Sequence, residues 1–146
     1  MKQILLFAFA GLMLQSCKKD DETYGTTPEI TFESISPGTV KQFKDSVVIG
    51  ISYTDGDGDL GENGSGVENA FVVDNRTQLT YGFRIRQLAP DNANIIIRGK
   101  LNIVVPAVGL VNSSSSSETA NFSIYVKDRA GNQSNTVTST NVTVIP

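Results

Sequence analysis

The chain has 146 residues, with 15 acids against 12 bases, no histidine, no tryptophan and a single cysteine. That inventory excludes histidine-based triads and zinc sites built from His and Cys, and its modest negative charge argues against nucleic acid as a partner. No phosphate-cradling Gly-x-x-x-x-Gly-Lys segment occurs.

The chain opens on Lys2, an apolar run from Ile4 to Leu14, and then Gln15-Ser16-Cys17. A basic start, a short apolar core and a small residue before the cut are the parts of a secretory signal. The run is too short for a hydrocarbon core that needs about 20 helical residues. Leu14-Gln15-Ser16-Cys17 resembles the bacterial lipobox, which implies that residues 1–16 are removed and that Cys17 is lipidated. Two or more acyl chains anchor a protein stably, at roughly 0.8 kcal/mol per buried methylene, so the membrane is an expected partner through this anchor. Lys18-Lys19-Asp20-Asp21-Glu22 follows directly. Its order resembles the export signal of Bacteroidetes surface lipoproteins, which implies the outer face of the outer membrane, with a periplasm-facing location as the alternative. Residues 17–27 are polar and aperiodic and are expected to be a flexible tether, leaving residues 28–146 as one domain.

Beyond Pro28 the dominant period is two. Val47, Ile49, Ile51 and Tyr53 share one parity, as do Leu79, Tyr81, Phe83 and Ile85, and then Phe122, Ile124 and Val126. Ile95, Ile97, Leu101, Ile103 and Val105 form a fourth set interrupted by Gly99. Strands with one buried and one wet face are written this way. About seven are expected, at 30–35, 46–54, 67–74, 79–88, 94–105, 119–127 and 135–145. Pro37 belongs near a sheet edge, and a parity change between Val137 and Val142 predicts a bulge. The expected fold class is all-β, a seven-strand antiparallel sandwich of immunoglobulin or fibronectin type III kind, with a small closed barrel as the rival. Ser113–Ser117 reads as a solvated loop, and Asp45-Ser46-Val47 matches a short O-glycosylation pattern of the same bacterial group. Arg84, Arg86, Arg98 and Lys100 are expected on the wet faces of two strands, where such residues mostly solubilise.

One constellation carries chemistry: Asp55-Gly56-Asp57-Gly58-Asp59-Leu60-Gly61. Carboxylates at every second position, spaced by glycines, can fold around one hard cation, and calcium takes 6–8 oxygens at roughly 2.3–2.6 Å. The loop is not an EF-hand, because Leu60 and Gly66 stand where glycine and a bidentate Glu are required. A second segment, Ile124 to Ser134, resembles the end of the sixth strand and the following turn of bacterial Ig-like and cadherin-like domains, with Asp128-Arg129-Ala130-Gly131-Asn132 as its core. With the first motif it makes the chain similar to Ig-like domains of Bacteroidetes surface lipoproteins. In that fold the loops after the second and sixth strands share one end, so Asp128 approaches Asp55, Asp57 and Asp59, with Asn132 and Glu62 as further oxygen donors. Asp91 is expected on a different loop, outside the site. The expected function is that of a non-catalytic, lipid-anchored envelope module, calcium-stabilised, for surface binding or adhesion to a glycan or an envelope protein. An architectural subunit of an outer-membrane complex is the alternative. A hydrolase ranks last, since no two carboxylates are seen to face one another across a cleft.

Overall fold

The computed structural model describes residues 24–146, so the signal, Cys17 and the charged stretch after it lie outside the described residues. Among the described residues ten strands form and there is no helix. The fold is all-β. The first layer is β1 (Glu29–Ser36), β3 (Val47–Asp55) and β6 (Ile97–Val105), in the order β1-β3-β6, antiparallel throughout. The second holds β5 (Thr80–Phe83), β4 (Ala70–Asp74), β8 (Phe122–Val126) and β9 (Val137–Thr138), in that order, and continues through β7 (Glu118–Ala120), β10 (Val142–Ile145) and β2 (Thr39–Lys41).

The difference from seven strands has local causes. The expected strands 119–127 and 135–145 each break in two, because the register between them slips by one residue. Val142 pairs with Ala120, whereas Thr138 pairs with Ser123. Ser139 manages the slip: its N–H donates to Phe122 O, and its hydroxyl accepts from Phe122 N. That is the bulge expected from the parity change. The tenth strand is β2: after Pro37 the chain leaves the first layer and pairs with β10 in parallel. The sandwich is therefore not purely antiparallel.

The core lies between the layers. Ile30, Ile49, Ile51 and Val105 from the first meet Val40, Val72, Phe122, Ile124, Val126 and Val144 from the second, all at most 2 % exposed. Each such side chain contributes roughly 1.5–3 kcal/mol of burial. Gly99 interrupts the apolar alternation of β6 because the Tyr53 ring of the neighbouring strand lies where a β-carbon would stand. The Asn135 side chain bonds both backbone groups of Ile30 at 2.8 Å, fastening β1 to the loop after β8. Part of the expected tether is docked: the Arg98 guanidinium stacks 4.6 Å from the Tyr24 ring, and Gly25 O accepts from Gly56 N.

Candidate metal centre

β3 ends in Asp55, and the chain then turns sharply at one end of the sandwich. Gly56 carries no side chain because Tyr24 and Gly25 carbonyls occupy that space, and Gly58 adopts φ +77°, open to glycine at little cost. Leu60, with no exposure, plugs into the core and pins the loop; its N–H returns to Asp55 Oδ2 at 2.8 Å. A leucine here is thus a packing residue, which explains the departure from an EF-hand pattern.

This turn brings the oxygens of Asp55, Asp57 and Asp59 within 4.8 Å of one another. Two oxygens that share one calcium at about 2.4 Å stand no further apart than that. Among the described residues, three side-chain oxygens are buried without a hydrogen-bond partner, and they are Oδ1 of Asp55, of Asp57 and of Asp59. Buried polar atoms are nearly always satisfied, so three orphans in one cluster mark where a cation would be held. The electrostatics agree. Burial pushes the Asp55 carboxyl up to about 6, against the Leu60 N–H and helped by the charges of Asp57 and Asp59. Burial likewise raises Asp59, followed by the charges of Asp128 and Asp57, with the Ala130 N–H and Arg129 opposing.

The turn after β8 packs against this loop, as the topology requires. Leu60 and Asp128 form a bridge. Arg129 N donates to Asp59 O at 3.2 Å and Ala130 N to Asp59 Oδ2 at 3.1 Å. Asp128 is buried, but its two oxygens take the backbone and side-chain N–H groups of Asn132 at 2.7 and 2.9 Å. Asp128 and Asn132 therefore brace the turn, and the Asp128 charge acts on Asp59. Glu62 is on the same loop, half-buried, but its carboxylate stands outside the group of three.

Asp91 is on a different loop, as expected, and outside the group of three acids. With Asn92 and Asn94 it lines a cleft of about 630 Å³ that is also lined by Asp57, Asp59, Arg129 and Ala130. β5 stops at Phe83 and β6 starts at Ile97, so residues 84–96 form a long connection instead of a tight hairpin. That connection is drawn across the site by Glu62 N bonding Ile85 O, and Arg129 Nε lies 3.7 Å from Asp91. The sequence signal for it was the Asp-Asn-Ala-Asn run, whose Asn92 and Asn94 sit at positive φ.

Of the four basic residues expected on wet faces, Arg86 is exposed and the other three are engaged. Lys100 pairs with Glu33 at 2.8 Å, Arg84 donates to Gly64 O, and Arg98 covers Tyr24. Comparison with protein-family models, with curated proteins and with solved structures gives no match.

Proposed function

We infer that this chain is a non-catalytic envelope module, held at the outer membrane by lipid on Cys17 and stabilised by one calcium ion, which presents the loops at one end of its sandwich for surface binding. The observation that carries the calcium reading is the trio of buried, unpartnered oxygens on Asp55, Asp57 and Asp59. The donors are all oxygen, which selects a hard cation, and a glycine-spaced loop suits the irregular shell of calcium better than the strict octahedron of magnesium. A hydrolase is less favoured. Paired glycosidase carboxyls stand about 5–9.5 Å apart across a substrate, whereas these oxygens share one small space within 4.8 Å.

Thermal melting tests the calcium site. At about 2 mM calcium and a dissociation constant near 0.1 mM, linkage adds about 1.8 kcal/mol. For a domain of this size the melting temperature rises by about 5–10 °C over the chelated protein. Equal melting in calcium and chelator contradicts the reading. Anchoring is tested separately by Cys17→Ser, which moves the protein out of the membrane fraction; a cleaved variant that stays with membranes contradicts the lipid anchor.

A further inference from the structure

Asp57 and Asp59 face two ways: their unpartnered Oδ1 atoms belong to the acid cluster, and both residues line the cleft beside it. Asp55, with no exposure and its own Oδ1 unpartnered, closes the back of the cluster. An ion held there lies between buried Asp55 and the two cleft-lining residues, Asp57 and Asp59. Oδ2 of Asp55 and of Asp59 is held by the Leu60 and Ala130 N–H groups, so the three carboxylates leave part of calcium's shell of 6–8 oxygens unfilled.

The far wall is made for hydroxyl groups. Asn92 and Asn94, at φ 58° and 45°, sit exposed on the cleft, and an amide both donates and accepts. Asp91, with a side chain 74 % exposed, adds a further acceptor. Arg129 is not free to hold an anion, because its guanidinium already donates to Gly61 O at 2.7 Å and Gly58 O at 3.4 Å. The charges on the cleft point the same way. Asp57, Asp59 and Asp91 line it with Arg129, and Asp55 stands in the same cluster, so with a divalent ion the site is still net negative. A phosphate or carboxylate ligand is repelled there, and a neutral polyol is not.

We propose that the ion held by Asp55, Asp57 and Asp59 takes a vicinal diol of a neutral carbohydrate from this cleft, an inference that rests on the calcium reading above. Two hydroxyls on adjacent carbons reach two neighbouring positions on one ion, while Asn92 and Asn94 bond the remaining hydroxyls. The cleft volume, about 630 Å³, lies in the range of small-ligand sites and admits a sugar ring. It opens at the end where the chain enters at Tyr24, whose carbonyl packs on Gly56. Six residues separate Cys17 from Tyr24, a span of at most about 25 Å over the seven steps, so the ligand is met close to the anchoring membrane.

The test is a titration of the isotope-labelled protein with methyl α-mannoside, methyl α-fucoside and methyl β-galactoside, followed by amide resonances in calcium and in chelator. The fully O-methylated mannoside, which keeps the ring but no diol, is the control. At least one glycoside shifts Asn92, Asn94 and Ala130 only with calcium, with a dissociation constant on the order of millimolar, and the methylated sugar does not. The double variant Asn92→Gly, Asn94→Gly keeps the backbone conformation accessible; it loses tenfold or more in sugar affinity and keeps the calcium-induced melting shift. Calcium stabilisation without any sugar response overturns this inference and leaves the calcium site standing, as does sugar binding that is equal in chelator. A protein indifferent to calcium removes both.

Discussion

The two ends of the sandwich each bury a carboxylate at a strand end, and they treat it in opposite ways. Asp74, 2 % exposed at the end of β4, meets the Arg76 guanidinium at 2.6 and 3.0 Å, and Arg76 reaches on to Glu118 at 3.1 Å and to Gly109 O. Glu118 in turn accepts the N–H groups of Val111 and Asn112 and so holds the start of the serine-rich loop. Asp74 and Glu118 thus share one guanidinium within the chain. At the other end Asp55 is more deeply buried, two further acids crowd it, and the nearest guanidinium spends its bonds on backbone carbonyls. Burial of a charge is tolerated only with compensation. The first end carries its cation as Arg76, and the second holds the unpartnered carboxylate oxygens that the proposed ion would meet.

Breaking the self-sufficient end has the largest effect. Arg76→Met keeps most of the side-chain volume and leaves Asp74 and Glu118 without their cation, so stability falls by about 3 kcal/mol, read by urea denaturation. Added calcium does not restore it, because the loss lies at the wrong end. An unchanged midpoint contradicts the role given to Arg76.

Acidity separates the ends next. Asp55 has a folded-state pKa of about 6 against an ordinary value of 3.8, so the folded protein binds this proton more tightly than the unfolded chain does. The stability it brings is complete below about pH 4 and is lost as pH rises through 6. Chelated protein therefore melts higher at about pH 5 than at pH 7, and saturating calcium reverses the order, since the ion competes with the proton. Glu118 is held below its ordinary 4.5 by the N–H groups of Val111 and Asn112 and by Arg76. Its contribution is lost only as pH falls below that value, so the interval from about pH 5 to 7 reports on the acid cluster alone. A chelated protein that melts lower at pH 5 contradicts the assignment.

The smallest effect is also the most counter-intuitive. Asp57→Asn removes one charge from a repelling cluster and raises the stability of the chelated protein by roughly 0.5–1 kcal/mol, while removing most of the gain from calcium. Equal responses to calcium in parent and variant exclude Asp57 from the shell.

Much of this was legible from alternation alone. Val47 to Ile51 and Phe122 to Val126 form strands where their parity placed them, because each face sees a different solvent. The convergence of Asp128 on the acid loop was legible too, since strand order fixes which loops share an end. Residues 84–96 were not. Ile85 and Ile95 keep strand parity, yet Ile85 bonds the Asn69 side chain at 2.6 and 3.1 Å in place of a ladder partner, and Ile95 is exposed. A side chain that imitates a strand leaves no periodic trace. The Asp74–Arg76–Glu118 network was invisible for a related reason: Glu118 lies 42 residues from Arg76, and no local pattern joins them.

Whether Asp55, Asp57 and Asp59 hold a cation is decided by a calorimetric titration of the purified, chelator-treated protein with calcium. The expected result is one calcium per chain with a dissociation constant of roughly 0.1–1 mM, much weaker binding of magnesium, and calcium binding weakened about tenfold or more in Asp57→Asn. Absence of binding to the parent protein, or binding that survives Asp57→Asn unchanged, contradicts it.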